Sequence, residues 1–306
     1  MLELKSKEIR ARFSTLGARL MSLQFAGAEL LAGGGSDEEC LAGDWTAGAV
    51  CGRVAWRISF ARFSLDGVTH QLAANMGAHQ LHGGPDNFAI RHWTAQPTDR
   101  TLRFCLHSPD GDQGYPGALN ASATYRLTGA TLTLDLQAAT TKPTVINMTN
   151  HAYWNLSGGG RDAFAHELRI DAAHVLPLDD LLLPTGEIGA VEGTRWDFRE
   201  IRPVREPCDN CWAVSGPRGT MRRALTLGDP VSGRRMEVWT TEAGVQVYTA
   251  NHWDAGMPGR RGPLAPHGAI AIEPQNFPDA PNRPGFPSAV LRPGDTYRNS
   301  IEWRFG

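Results

Sequence analysis

His151 sits in the run Asn147-Met-Thr-Asn150-His151-Ala-Tyr153-Trp154-Asn155, and the segment Ile272-Glu273-Pro-Gln275-Asn276-Phe-Pro-Asp279 offers it a carboxylate partner. An imidazole facing a carboxylate is an acid and a base in one place, suited to moving two protons on one small substrate. The run around the histidine holds too many amides for ordinary core packing, because each buried amide costs free energy unless it is hydrogen-bonded. A ligand of sugar size would supply those partners.

Other polar groups stand beside turns or inside apolar strands. In Asn75-Met-Gly-Ala-His79-Gln-Leu-His82-Gly83-Gly84 the paired glycines let the backbone adopt positive φ or pass close to a ligand, so that His82 projects from a strand end. A surface histidine is the plainer alternative there, and for His79 the structural reading is the stronger one. Arg57 interrupts the apolar stretch Cys51-Gly-Arg53-Val-Ala-Trp56-Arg57-Ile58, and a buried guanidinium must find carboxylates of the protein or oxygens of a ligand. Trp56, Trp154, Trp212 and Trp253 are candidates to stack on a ring, although core packing accounts for any one of nine tryptophans. Cys208-Asp-Asn-Cys211 has redox or zinc-like spacing, yet there is no second pair, and two reduced cysteines in a loop or strand are expected. His166 or the pair His252 and Asp254 could add donors for a metal, yet their spacing does not ask for one.

The elements that must position these groups read as antiparallel sheet. Short alternating segments recur between Gly, Asp and Pro. Arg62 to Leu72 forms a hairpin around the tight turn Asp66-Gly67. Tyr125 to Gly129 and Thr131 to Leu136 repeat the pattern, with Leu132, Leu134 and Leu136 on one face and Thr133 and Asp135 on the other. Val245, Val247 and Thr249, then Tyr297, Asn299, Ile301, Trp303 and Phe305, carry the alternation to the C-terminus. The 34 glycines and 20 prolines suit turns and oppose long helices. Gly33-Gly34-Gly35 and Gly158-Gly159-Gly160 read as surface loops without phosphate-loop context, and Pro258 to Pro266 as a long loop near a site. The fold class expected is all-β, a large antiparallel two-sheet sandwich, with residues 1–306 as one domain.

Bulk properties exclude several classes of partner. Thirty basic and 32 acidic residues leave the chain near neutral, with no basic block to follow a nucleic-acid backbone. No apolar run approaches the roughly 18 to 20 residues that cross a bilayer, and Met1 to Glu8 lacks the head and apolar stretch of a secretion signal. With an odd count of five cysteines, no disulfide framework is expected. A cytoplasmic location follows as an expectation, and alternation alone leaves monomer and homodimer both open.

Taken together, seven segments resemble the galactose mutarotase (aldose 1-epimerase) family, in its order and from about residue 45 to the end. They are Gly52-Arg-Val-Ala-Trp-Arg-Ile58, Leu81-His-Gly-Gly84, Asn150-His-Ala-Tyr-Trp-Asn-Leu-Ser-Gly158, Leu183-Pro-Thr-Gly-Glu-Ile188, Trp196-Asp-Phe198, Val247-Tyr-Thr-Ala-Asn251 and Glu273-Pro-Gln-Asn-Phe-Pro-Asp-Ala280. The resemblance implies a large β-supersandwich that binds a free monosaccharide and interconverts its anomers without cofactor or metal. It places the general acid on His151 and the general base on Glu273, and it assigns His82, Arg57 and Asp209 to hydroxyls or the ring oxygen. The chain departs from the family's pattern at Trp56, where an Asn is common, at Asp209-Asn-Cys-Trp212, and at Pro85 to Phe88. Exchanging an amide for an indole removes polar contacts, so the preferred sugar is left open.

Three alternatives accompany this reading. A hexose-phosphate mutarotase would need an arginine cluster at the pocket, to which Arg199, Arg202 and Arg205 are candidates. A glycoside hydrolase could pair Glu273 with Asp209. A noncatalytic carbohydrate-binding sandwich would bind sugar without accelerating anomer exchange.

Overall fold

The computed structural model describes residues 1–159 and 161–306. Its largest sheet has nine strands in the spatial order Thr94–Pro97, Thr101–Ser108, Leu119–Thr128, Thr131–Thr140, Tyr297–Phe305, Arg235–Thr240, Arg222–Gly228, Glu167–Ile170 and Arg202–Pro203. A seven-stranded sheet runs Gly189–Ala190, His174–Val175, Asp209–Ala213, Gly244–Tyr248, Ile270–Gln275, Tyr153–Trp154 and Leu31–Ala32. The N-terminal strands from Leu2–Lys5 to Ala28–Glu29 make a separate four-stranded sheet. The ladders within these sheets are antiparallel, as the turn-rich sequence requires.

Period-two alternation explains how the sheets join. Leu132, Leu134 and Leu136 are fully buried, as are Ile301 and Trp303 on the strand beside them. They belong to one core with Trp154, Trp212, Val245, Val247, Ile270 and Ile272 of the seven-stranded sheet. Burying a side chain of this size stabilises the fold by about 1.5–3 kcal/mol. The alternate residues of the same strands, among them Asp209, Gln246, Tyr248, Glu273 and Tyr153, therefore face the opposite side.

The predicted hairpins are present. Arg62–Leu65 pairs with Val68–Gln71 through Asp66 and Gly67, both at positive φ, the conformation of a type I′ turn. Leu119–Thr128 and Thr131–Thr140 pair along their whole length. Asp37–Ala42 is the one α-helix among the described residues, capped by the Ser36 hydroxyl, which accepts the Glu39 N–H.

The Gly33-Gly34-Gly35 tract differs from the expected surface loop. Gly33 and Gly34 are buried, and a Cβ on Gly34 would lie 2.6 Å from the Cys40 backbone nitrogen. The glycines are there because this turn packs directly on the helix that follows. Of the second tract, Gly158 and Gly159 are at positive φ and not buried, while Gly160 lies outside the described residues. Pro258 to Pro266 is a long loop, as expected, tied down by Arg260 reaching Glu29 and by buried Leu264. No helix among the described residues is long and apolar enough to cross a membrane.

Candidate active site

The floor of the site is the polar face of the seven-stranded sheet. Gln246 stands opposite Glu273 in one ladder and Asp209 opposite Tyr248 in the next. His151 lies between two short strands, where Thr149–Asn150 pairs with Val50–Cys51 and Tyr153–Trp154 joins the sheet. Its N–H donates to the Ala49 carbonyl and its carbonyl accepts from Gly48, both within 3 Å, so the backbone is fixed on either side of the ring. A third ladder sets Leu81 against Arg57 and thereby brings His82 to the same mouth.

All five residues singled out by sequence meet at one cavity of about 360 Å³. His151 Nε2 lies 3.3 Å from Glu273 Oε1, and both side chains are buried. Arg57 Nη2 is 3.7 Å from Asp209 Oδ2, with its guanidinium 4.1 Å from the Trp56 ring centroid. Gln246 Nε2 donates to Asp209 Oδ1 at 2.7 Å. Trp56 and His82 both have positive φ, 63° and 50°. The Trp56 N–H donates to His82 Nδ1 at 3.1 Å, which leaves Nε2 to carry the hydrogen of a neutral ring.

The electrostatics follow from depth. Burial lowers the His151 pKa to about 4, although the Asp44 charge works the other way. Burial, reinforced by the charges of Asp209 and Asp44, holds Glu273 well above the usual carboxylate range. The pair therefore shares one mobile proton, either as imidazolium and carboxylate or as imidazole and carboxylic acid, and dehydration favours the second form. His82 is pushed well down, by burial first and then by His151 and Arg57, so it is a neutral donor. Burial raises Asp209 against the opposing pull of Arg57 and Gln246.

Among the described residues, several buried polar atoms on pocket residues have no hydrogen-bond partner in the chain, namely Glu273 Oε2, His151 Nδ1, Tyr153 Oη and Arg57 Nε and Nη1. Such groups call for a polar ligand. Ligand atoms of His82, His151 and Glu273 lie within 4.8 Å of one another, close enough to share a cation; the sequence pattern had not singled out that trio as metal donors. His166, considered there, uses Nε2 to accept the Leu156 N–H. Cys208 and Cys211 are free and buried, and belong to different apolar clusters on either side of the sheet.

Of the four tryptophans considered for stacking, Trp154 and Trp212 belong to the core. Trp253 is buried with its Nε1 donating to Asp44. Trp56 lines the cavity, and so does Trp45, whose ring meets His82 edge-on at 6.0 Å. Sequence reasoning missed Asp44, Trp45, Gln246 and Tyr248. Gln246 and Tyr248 had a readable signal, since they alternate with the buried Val245 and Val247. Asp44 had none, being a lone acid after a short helix. His79 is structural, its Nδ1 accepting the Phe60 N–H. A second cavity of about 340 Å³ behind Trp253 holds no paired acid and base.

Comparison with known proteins agrees with this geometry. Residues 1–304 match the family model described as aldose 1-epimerase. The galactose mutarotase of Homo sapiens is 38% identical over 270 residues, covering 84% of this chain and 78% of that one. The aldose 1-epimerase of Escherichia coli (strain K12) is 34% identical over 275 residues, 84% of this chain and 79% of that one. Among solved structures, an aldose epimerase homologue from C. elegans superposes with a TM-score of 0.93 at 29% identity, covering 100% of this chain and 98% of that one.

Proposed function

Because the chain belongs to the aldose 1-epimerase family, we propose that it is a mutarotase interconverting the α and β anomers of a free aldose such as galactose or glucose, with Glu273 as general base and His151 as general acid. The observation that carries the assignment is the 3.3 Å approach of His151 Nε2 to Glu273 Oε1 inside a cavity whose buried polar groups lack partners. A cyclic aldose is a hemiacetal. Opening it removes the proton from the C1 hydroxyl and delivers one to the ring oxygen as the C1–O5 bond breaks. Glu273 takes the first and His151 gives the second. The pair passes from its ionic form to the neutral form, so the ionic form, which burial disfavours, must be populated before the ring opens. Rotation about C1–C2 turns the other carbonyl face toward the hydroxyl, and closure reverses both transfers. Electrons stay paired and no redox step occurs, so the reading invokes no cofactor.

His82, Arg57 and Asp209 bind sugar oxygens in this reading. The neutral His82 and the charged Arg57 are donors, and they favour negative charge developing on oxygen. Residues 1–306 are read as one catalytic unit, because the pocket floor shares its core with the nine-stranded sheet. A phosphorylated hexose fits less well. Arg199 is paired with Asp197 and Glu192, and Arg202 donates to the carbonyls of Asp197 and Arg195, so neither faces the cavity.

Polarimetry of freshly dissolved α-D-galactose, α-D-glucose and a pentose panel, with wild type and Glu273→Ala, tests the proposal. Acceleration that the substitution reduces by about 100-fold or more supports it. No acceleration of any free sugar, or near-normal turnover in the variant, would sink it.

A further inference from the structure

Three groups on the cavity wall take no part in the proton transfers described above. Tyr248 Oη accepts the backbone N–H of His252 at 2.9 Å and lies 2.6 Å from His252 Nδ1. The two rings stack 5.6 Å apart at 13°. At the far edge of the imidazole, Nε2 is 3.4 Å from Asp44 Oδ2. Asp44 is held in turn by the Thr46 N–H at 2.9 Å and Trp253 Nε1 at 2.8 Å. Asp44, Tyr248 and His252 line the same cavity as His151 and Glu273.

Resting on the mutarotase reading, we propose that the Tyr248 hydroxyl is a sugar-binding donor whose hydrogen His252 releases or withholds, with Asp44 fixing which imidazole nitrogen titrates. The buried carboxylate keeps a hydrogen on Nε2, so the proton that His252 gains or loses sits on Nδ1. With His252 neutral, the Nδ1 lone pair accepts the Tyr248 O–H, and that hydrogen is lost to the pocket. With His252 protonated, Nδ1–H donates to the Tyr248 oxygen, which already accepts the backbone N–H. The phenol hydrogen then turns to a ligand oxygen.

The surroundings set where this exchange falls. The hydrogen bond to Asp44 raises His252 above its ordinary value, Asp209 and Asp254 add to the effect, and partial burial opposes it. Across the pocket stand His151 paired with Glu273 and Arg57 paired with Asp209. Burial keeps the Tyr248 phenol protonated throughout.

The test is KM and kcat for glucose and galactose mutarotation from about pH 5 to about pH 9, spanning imidazole titration, in wild type, His252→Phe and Tyr248→Phe. Wild-type KM should rise about three- to tenfold as His252 loses its proton, the effect of one hydrogen bond. His252→Phe keeps the stacked ring and removes the acceptor, so its KM should stay at the low value at every pH. Tyr248→Phe should stay at the high value. In all three, kcat should follow the His151 and Glu273 pair. A ring-nitrogen NMR titration of His252 in wild type should show its step at the pH of the KM step. A low, flat KM in Tyr248→Phe, or a KM step that persists in His252→Phe, overturns this proposal and leaves the mutarotase reading intact. Wild-type protein that accelerates no sugar overturns both. If a variant fails to fold, agreement of the wild-type KM step with the NMR titration supports the proposal and disagreement overturns it.

Discussion

Trp56 and His82 hold each other in the left-handed region of backbone space. The Trp56 carbonyl accepts the His82 N–H at 2.9 Å, and the Trp56 N–H donates to His82 Nδ1 at 3.1 Å. Neither is glycine, so each conformation costs about 1–3 kcal/mol, and the reciprocal bonds sustain both. The same contact fixes the tautomer with which His82 meets a sugar.

His82→Ala should therefore lower kcat/KM by about 10- to 100-fold and destabilise the fold by about 1–3 kcal/mol, since a buried N–H loses its acceptor. His82→Asn, whose side-chain oxygen can accept that N–H and which tolerates positive φ, should recover stability without recovering sugar binding. Urea unfolding together with polarimetry separates the two effects; equal recovery of both would contradict the dual role.

The pH profile of kcat should be unusually broad on the acid side. Activity needs one mobile proton on the His151 and Glu273 pair, and a second is added only near the lowered His151 value of about 4. The alkaline limb appears when the pair loses its proton, above the ordinary carboxylate range because burial raises Glu273. An acid limb centred near 6.5, the ordinary imidazole value, would contradict the placement of His151.

Glu273→Gln should be an inactive but stabilised protein, and more so at higher pH. The folded pKa of Glu273 lies above its unfolded value, so its linkage contribution is fully present below the unfolded value and is lost as pH rises. The amide does not titrate. A melting temperature that gains about 2 °C or more over wild type at pH 8, and gains less at pH 5, is expected for a change of about 1 kcal/mol. A gain that shrinks with rising pH would reverse the sign of the argument.

Gly83→Ala should be among the most destabilising single substitutions near the site. Gly83 has φ of 97°, and a Cβ there would lie 1.9 Å from the Gly52 carbonyl oxygen. A loss of more than about 2 kcal/mol in chemical denaturation is expected, because strain and a backbone clash add. Alanine accepted without loss would mean that the His82 turn yields readily to a Cβ at this position.

The site was legible in sequence where chemistry and alternation coincide. His151 stands out because it sits in an amide-rich run too polar for core packing, Glu273 because it follows the apolar Ile270, Ala271 and Ile272, and Arg57 because it interrupts an apolar strand. Val245 and Val247 announced a buried face, and reading the intervening Gln246 and Tyr248 as its reverse would have reached the pocket floor. Asp44 was beyond reach, because its role depends on the distant Trp253 and His252, joined to it only by folding. The Gly33 to Gly35 turn misled for a related reason. Glycine signals backbone freedom and close approach alike, and only the packed helix distinguishes them.

The strand Tyr297–Phe305 lies inside the nine-stranded sheet, between Thr131–Thr140 and Arg235–Thr240. It follows the other eight strands of that sheet in chain order, so during vectorial synthesis two half-sheets emerge with the edges destined for it still unpaired. Such edges are sticky templates for other chains. Loss of these nine residues would remove an interior strand of the sheet. It would part the wall on which the pocket floor rests, and the assembly hazard of the protein lies in the interval before that strand arrives.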